Sequence, residues 1–454
     1  MTSLTQELAQ LAAGMTLGAI PEEARRIAKT GFADCAAVMI AGAGEPAVGI
    51  VARALGGPPA NGGAESASLL PRGGKRAVES AVLVNGVAAH VLDYDDVALD
   101  GHPSAVLVPA VLAQAEATGA NGAEMVAAYV VGYEVWAELL ARIPGPMHTK
   151  GWHPTAVLGT VGAAAACGRL RRLDAGRMSH AISLAASMAA GLVANFGTMT
   201  KSFQVGRAAQ SGLTAAKLAA ADFTASPDAF EHAAGFVTAF GKGEKAERPR
   251  PLDKSRAWQI LQQGLNVKRY PLCYATHRAI DAAIDLIEQH QVRPGDIDKI
   301  DVATGTTQML MLRNHRPQTG LEAKFSMEFA MASAAVARRV GLAELTDGFV
   351  LKPDVQAMLP NIATTAIKDP GVGDTFAPFD EVSIKHKTGR SIDSGKIEHA
   401  LGSHAKPMSA DQLRAKFEDC VGASFPEADR AKAFEGFMAL EKIPSVAALK
   451  LART

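Results

Sequence analysis

The hydrophobic pattern of this chain changes close to residue 268, and this change constrains the fold more than any other feature of the sequence. From Leu4 to about Leu261 apolar residues recur at helical spacing, and Ala and Gly are unusually dense. After Lys268 alternating β-branched segments appear at Ile297–Ala303 and Asp380–Lys387, with helical stretches between and before them. We therefore predict a mainly α chain, with a large helical domain and a smaller α+β domain.

The helical pattern also predicts where elements begin and end. Small residues on the predicted helices should let them cross closely. The clearest predicted helices are the one opened by Pro21, Ala77–Val97, Asn121–Ala141, Ala275–Glu288 and Phe325–Arg338. Segments rich in Gly, Pro or charge predict breaks at Gly56–Gly63, Ile143–Met147 and Glu244–Pro251.

The end of the chain, Ser409–Arg453, returns to a helical pattern. A length of 454 residues suggests more than one domain. We expect the tail to rejoin the helical domain, so that the α+β part is an insertion-like lid. The predicted divisions are 1–267 for the helical domain, 268–403 for the lid and 404–454 for the C-terminal helices.

Charge and cysteine usage exclude several classes of protein. The 46 basic and 46 acidic side chains balance, which gives no indication of binding to nucleic acid or to a membrane. The start of the chain lacks the pattern of a signal peptide, so the expected location is cytoplasmic. The 4 cysteines are far apart and form no C-x-x-C pair, which argues against a zinc ribbon, an iron–sulfur cluster or a disulfide framework. We expect them to be buried as small hydrophobic residues.

Two similar segments, Gly101-His-Pro-Ser and Gly151-Trp-His-Pro-Thr, each precede a helical run. Proline favours the first position of a helix, so His102 and His153 should lie at the N-cap or just before it. Unpaired backbone N–H groups at these helix starts would then share their space with an imidazole, which suits a carboxylate ligand. The alternative is that each histidine only caps its own helix or packs under a loop.

An acidic segment follows His90 and contains Asp93, Asp95 and Asp96. Its spacing predicts His90 and Asp93 on neighbouring positions of one helix face, where Asp93 could act as a base. Taken alone, such a cluster is more typical of a solvated acidic patch.

Four further residues are candidates for contacts with a substrate. Lys201 follows a small polar run, and Lys268 precedes Tyr-Pro; such lysines are usually solvated, but they could bind substrate carboxylates. His277 has a core or capping role as its alternative, and Lys324 could belong to the surface or to the lid.

Taken together, several motifs resemble the MmgE/PrpD superfamily over nearly the whole chain. This superfamily includes 2-methylcitrate dehydratase, cis-aconitate decarboxylase and iminodisuccinate epimerase. The motifs are Asn85-Gly-x-x-Ala-His90, Asp93-Tyr-Asp-Asp96, Gly101-His-Pro-Ser104, Gly151-Trp-His-Pro-Thr155, Asn195-Phe-Gly-Thr-Met-Thr-Lys201, Gly206-Arg-Ala-Ala209, Lys268-x-Tyr-Pro-x-Cys-Tyr-Ala-x-His277 and Glu322-Ala-Lys-Phe-Ser326.

The resemblance implies a helical domain built from both chain ends, an α+β lid, a homodimer, and an active site that uses neither a metal nor an organic cofactor. It implies a catalytic set and, around it, a substrate-binding set. The catalytic set is Asp93, His102, His153, Lys201 and Lys268, and the substrate-binding set is Gln204, Cys273, His277 and Lys324.

The sequence also departs from particular branches of the superfamily. Val97 stands where cis-aconitate decarboxylases have threonine, Gln204 where relatives usually have histidine, and Cys273 where decarboxylases have another histidine. The motifs around Cys273 and Lys324 look closer to the epimerase branch.

We therefore expect a metal-independent lyase of the 2-methylcitrate dehydratase type. It would abstract a proton next to a carboxylate of a small di- or tricarboxylate, with loss of water. Asp93 or His153 is the expected base and His102 the expected acid. Epimerisation of an iminodisuccinate-like dicarboxylate, decarboxylation, and a non-catalytic helical scaffold are the alternatives.

Overall fold

The computed structural model describes residues 3–58, 65–71, 73–241, 252, 257–367, 377–422 and 424–451. Contacts between residues divide the chain into two compact units. The first comprises Met1–Asn266 and Ser409–Thr454, and the second comprises Val267–Met408.

Where the structure describes the first unit, it consists mainly of helices and has one short hairpin. Its helices are α1 (Leu4–Gly14), α2 (Glu22–Gly42), α3 (Pro46–Leu55), α4 (Val78–His90), α5 (Pro103–Thr118), α6 (Gly122–Leu140), α7 (Pro154–Leu170), α8 (Ala175–Met188), α9 (Met199–Ala220), α10 (Phe236–Phe240) and α11 (Gln259–Gln263). The hairpin pairs β1 (Ser66–Ser68) with β2 (Lys75–Ala77) in antiparallel fashion.

The second unit combines a four-stranded sheet with helices. Its helices are α12 (His277–Gln289), α13 (Thr306–Met311), α14 (Gly320–Ala323), α15 (Met327–Ala337), α16 (Asp347–Val350) and α17 (Pro353–Met358). Its strands are β3 (Ile297–Thr304), β4 (Ile362–Ala366), β5 (Glu381–His386) and β6 (Ser391–Asp393). The strand order is β4-β3-β5-β6, in which β3 and β4 run parallel and the other pairs are antiparallel.

The tail of the chain forms α18 (Ala410–Val421) and α19 (Glu427–Met438), and both pack against α2 in the first unit. At the centre of this unit α7 packs against α6 and α9, and α9 packs against α4. Glycines allow the α4–α9 crossing: a Cβ on Gly206 would lie 2.5 Å from the backbone oxygen of Leu83, and one on Gly86 would lie 2.7 Å from the Gly206 Cα. This contact fixes the helix that ends in His90 against the helix that carries Lys201.

The prediction of a mainly helical chain is confirmed, as are the strands at Ile297–Ala303 and Asp380–Lys387 to within a residue at either end. The 4 cysteines are buried, as predicted. The predicted helix Ala77–Val97 is wrong beyond His90, because α4 ends there and the chain then turns. The predicted break at Glu244–Pro251 lies outside the described residues, as does part of Gly56–Gly63.

Within the described residues, no single helix is long and apolar enough to cross a bilayer. The pair α2 and α3, which is bent by 85°, meets the criteria of length and composition only when the two are joined.

Candidate active site

The two His-Pro segments begin helices as predicted. His102 is the N-cap residue of α5 and His153 that of α7, with Pro103 and Pro154 at the first helical positions. Neither imidazole accepts a capping hydrogen bond from its own helix. The alternative in which each histidine caps its helix through its side chain is therefore wrong, and both rings are engaged elsewhere.

The starts of α5 and α7 lie side by side. The backbone N–H of His102 donates to Thr155 Oγ1 in the first turn of α7, at 3.2 Å. Gly101 permits this approach, since a Cβ there would lie 2.7 Å from the same oxygen. Two helix N-termini, each with a partial positive charge, therefore lie next to each other.

A buried carboxylate joins two of the histidines. Asp95 accepts hydrogen bonds from His90 Nδ1 at 2.9 Å and from His102 Nδ1 at 2.9 Å. His102 Nδ1 also lies 2.9 Å from the backbone oxygen of Asp96. Because all of these partners are acceptors, both imidazoles carry a proton on Nδ1.

An amide sets the state of the third histidine. Gln204 Nε2 donates to the backbone oxygen of Leu192 at 3.1 Å, so Gln204 Oε1 is left to accept from His153 Nδ1 at 2.7 Å. In neutral His153 the lone pair is therefore on Nε2. Burial, and next the positive charge of Lys201, hold the pKa of His153 well below its usual range. His153 is thus a neutral imidazole with Nε2 able to take up a proton.

Asp93 and Lys201 form a buried ion pair. Lys201 Nζ lies 2.5 Å from Asp93 Oδ1, with only 10% and 6% of the two side chains exposed. Asp93 has a positive φ of 52°, and it follows the end of α4 instead of lying within the helix. The predicted placement of His90 and Asp93 on one helix face is therefore wrong, because the turn redirects Asp93 toward α9.

Ring contacts connect these groups into one cluster. The His90 ring centroid lies 4.5 Å from that of His102 and 6.3 Å from that of His153. Phe196 lies 4.9 Å from His153, and Lys201 Nζ lies 5.3 Å from the centre of the Phe196 ring. The structure thus brings together Asp93, His102, His153, Lys201 and Gln204 from the predicted set.

Burial determines the charges in the cluster. It lowers the pKa of His90 to about 4, against the effect of Asp95. Burial alone would raise the pKa of Asp95, but the neighbouring imidazoles hold it well below its usual range. Asp96 is bound by Ser104 and not by an imidazole; burial raises its pKa to about 8 against the hydrogen bonds from Ser104, and the charges of Asp34 and Asp95 assist. At neutral pH Asp95 is therefore ionised, whereas Asp96 is protonated.

The solvated acidic patch expected from the sequence is also wrong. Asp93 is 4% exposed, and Asp95 and Asp96 are fully buried. Their burial is possible because one is paired with a lysine, one is bound by two imidazoles, and one keeps its proton. Lys201 and Lys268 are likewise buried, at 8% and 1% exposed, where solvated lysines were the common expectation.

Three residues near the cluster were not assigned to the site from the sequence. His90 is fully enclosed, Asp95 joins it to His102, and His148 has its ring 6.2 Å from Phe196. Burial lowers the pKa of His148 to about 4. The His-x-x-Asp-x-Asp pattern could have indicated Asp95, but nothing local indicates His148.

One group of residues could in principle hold a cation. Ligand atoms of His90, Asp93, Asp95 and His102 all lie within 4.8 Å of one another. However, the Asp95 oxygens already accept imidazole N–H groups, and the Lys201 ammonium already bonds Asp93. Lys201 thus supplies the positive charge that a metal would otherwise bring, and a metal-free site stays a prediction.

The remaining predicted residues belong to the second unit. There the Cys273 N–H donates to the Lys324 backbone oxygen at 2.9 Å, and both residues are buried. His277 begins α12 with its ring 5.2 Å from that of Tyr270. Roles for Lys268, Cys273, His277 and Lys324 in the active site stay predictions that rest on the resemblance.

Most of the chain is similar in sequence to known proteins. Residues 6–249 match the family described as the MmgE/PrpD N-terminal domain, and residues 270–440 match the MmgE/PrpD C-terminal domain. Among curated proteins, the cis-aconitate decarboxylase of Homo sapiens is 27% identical over 348 residues, covering 74% of this chain and 71% of that protein. The cis-aconitate decarboxylase of Aspergillus terreus is 24% identical over 396 residues, covering 82% and 80%.

Proposed function

Because the chain belongs to the MmgE/PrpD family, we propose that it is a lyase that moves a proton at the carbon next to a carboxylate of a small di- or tricarboxylate. Loss of water from a hydroxy-carboxylate, as in 2-methylcitrate dehydratase, is the reaction that we favour. The observation that carries the proposal is the pairing, in one cluster, of a neutral imidazole with an imidazole bound to a carboxylate.

His153 is the base in this proposal. Gln204 directs the proton of the neutral ring to Nδ1, so Nε2 has the free lone pair that must accept the substrate proton. Its lowered pKa keeps the ring unprotonated at neutral pH. Asp93 is the less suitable base, because its carboxylate is already bonded to Lys201.

His102 is the acid. Its Nδ1–H donates to Asp95, so the proton available for the leaving hydroxyl is on Nε2. Its side chain is 13% exposed, whereas that of His90 is 0% exposed, so of the two imidazoles on Asp95 it is His102 that a substrate can reach. A positioned acid or base typically accelerates a reaction by about 10²–10⁴-fold.

Negative charge that develops on the substrate requires positive groups nearby. Lys201 and the N-termini of α5 and α7 supply them, and being already oriented they need no rearrangement as the charge forms. Substrate carboxylates fit the same groups. A non-catalytic scaffold does not require these groups to converge, and their convergence argues against it.

Decarboxylation is the second candidate, since the curated relatives are named cis-aconitate decarboxylases. Loss of CO₂ from an unsaturated tricarboxylate requires an acid to protonate the resulting carbanion, but no base to remove a proton. A histidine held neutral, as His153 is, suits elimination of water better. Epimerisation stays an alternative for the same reason, because it also begins with proton removal.

A ligand panel followed by product analysis tests the proposal. The panel contains citrate, 2-methylcitrate, cis- and trans-aconitate, tartrate and iminodisuccinate analogues, and we expect a hydroxy-tricarboxylate to raise the melting temperature. NMR in D₂O should then detect an unsaturated product formed by loss of water. Release of CO₂ would favour the decarboxylase, and exchange of deuterium without loss of either would favour the epimerase. A panel without binding or turnover would contradict all three.

The homodimer, the absence of a cofactor and the cytoplasmic location stay predictions.

A further inference from the structure

Asp95 is a fully buried charge that takes no direct part in the proposed reaction. Its side chain is 0% exposed, and its two oxygens bind the Nδ1–H groups of His90 and His102 at 2.9–3.0 Å. Burial of an ionised carboxylate lowers the stability of the folded state unless the carboxylate is fully hydrogen-bonded. Such a group needs an explanation in terms of what it does for its partners.

We propose that Asp95 is a positioning residue that holds His102 in its Nδ1–H form and balances the charge of its imidazolium. This inference rests on the proposed function, in which His102 gives its Nε2 proton to the leaving hydroxyl. In that step the Nε2–H bond breaks, an O–H bond forms, water departs with the electrons of its C–O bond, and His102 is left neutral. The Nδ1 proton stays on His102 throughout, directed at Asp95.

The tautomer follows from the acceptors around Nδ1. Asp95 Oδ2 and the Asp96 backbone oxygen both lie 2.9 Å from His102 Nδ1, and neither can donate a proton to it. A proton on Nδ1 satisfies both contacts, whereas a lone pair there would face two other lone pairs. The exchangeable proton is therefore confined to Nε2.

His90 fixes the carboxylate without neutralising it. His90 Nδ1 lies 2.9 Å from Oδ1 and 3.0 Å from Oδ2 of Asp95, and this contact leaves the carboxylate little freedom to rotate. Because burial lowers the pKa of His90 to about 4, this ring is uncharged at neutral pH. The negative charge of Asp95 is therefore not neutralised by His90 and can attract the imidazolium of His102. This attraction is stronger than in water because the pair is buried.

Other ionisable groups also act on His102, and they come from several elements. They are Asp93, Asp95 and Asp96 from the segment after α4, His90 from the end of α4, His148 and His153 before α7, and Lys201 from α9. Asp95 combines a negative charge with a direct side-chain bond to the ring, at 2.9 Å.

The first test reads the tautomer directly and needs no substrate. In protein labelled with ¹⁵N-histidine, NMR at alkaline pH should find the neutral His102 ring protonated on Nδ1, with His102→Gln identifying its signals. In Asp95→Asn the fraction of neutral His102 rings protonated on Nδ1 should fall, because a neutral amide replaces the charged acceptor at Nδ1. A neutral His102 protonated on Nε2 in the unsubstituted protein would overturn the proposal, even if Asp95→Asn fails to fold.

The second test uses the substrate identified by the ligand panel. Asp95→Asn should lower kcat by about 10²-fold or more with KM changed by less than about threefold, and the alkaline limb of the kcat/KM profile should move to lower pH. Tyr129→Phe is the matched control, since it removes a buried 2.7 Å hydrogen bond to Ser104 without a change of charge. It should lower the melting temperature and leave the pH profile in place.

A folded Asp95→Asn that keeps kcat and the pH profile would contradict the positioning role. The NMR result does not depend on which substrate is used, so failure of this inference can be told apart from failure of the proposed function.

Discussion

A single amide decides the protonation of the predicted base. Gln204 lies 51 positions from His153 in the chain. Its Nε2 donates to the Leu192 backbone oxygen, and this bond orients the amide so that Oε1 accepts the Nδ1–H of His153. Sequence analysis named both residues but predicted Gln204 to bind substrate. The observed hydrogen bonds indicate that Gln204 acts by orienting His153. A direct contact between Gln204 and a substrate stays a prediction.

Asp95 and Asp96 have the same side chain at adjacent positions but opposite charge states. Asp95 is ionised because two imidazoles bind it, and Asp96 stays protonated because burial is not offset by a cation. The sequence could not separate them, since the difference lies in what the fold places around each carboxyl group.

Asp96 predicts a dependence of stability on pH. Its pKa rises from 3.8 to about 8 on folding, so the folded state holds a proton that the unfolded state has lost between these values. This contribution makes the protein less stable as pH rises from about 4 to 8. Asp96→Asn should remove the contribution and raise the melting temperature at pH 8 by about 3 °C or more, with a smaller gain at pH 5.

Thermal unfolding at both pH values measures this gain. The control is Asp298→Asn, because Asp298 is 49% exposed in an ion pair with Lys385. Its effect should be small and similar at both pH values. If the melting temperature of Asp96→Asn had the same pH dependence as that of the unsubstituted protein, this result would contradict a protonated Asp96.

At the scale of elements, the starts of α5 and α7 could be predicted and the end of α4 could not. Proline at the first helical position is a local signal, so His102 and His153 were placed correctly. No glycine or proline marks the end of α4. Instead Asp93, Leu99 and Asp100 adopt positive φ angles of 52–56°, which are uncommon for residues other than glycine.

The α4–α9 crossing gives an element-scale prediction. In Gly206→Ala the new Cβ would lie 2.5 Å from the Leu83 backbone oxygen, so the helices must separate. Overpacking of this kind costs about 1–3 kcal/mol, and the melting temperature should fall. Activity should fall as well, because the crossing holds His90 against the helix that bears Lys201.

Gly14→Ala is the control for this variant, since a Cβ on Gly14 meets nothing within 4 Å. Calorimetry of the two variants should give a lower melting temperature for Gly206→Ala alone. Equal melting temperatures would contradict a close crossing.

At the scale of the whole molecule, composition and periodicity suffice to predict a mainly helical chain, since they record local preferences. Composition and periodicity do not predict which distant segments of the chain come into contact. Lys416 of α18 donates to the Tyr94 backbone oxygen, 322 positions away in sequence, and forms a 2.6 Å ion pair with Asp34. The C-terminal helices thereby support the segment that carries Asp93 and Asp95.

The most direct test of the whole account is the turnover of His153→Ala in D₂O, with the substrate that the ligand panel identifies. We predict that loss of water falls by about 10²-fold or more, because Gln204 holds the Nδ1 proton of His153 and leaves its Nε2 to accept the substrate proton. Arg207→Ala, an exposed substitution on α9, should retain activity. Turnover of folded His153→Ala within about threefold of the unsubstituted protein would contradict His153 as the base.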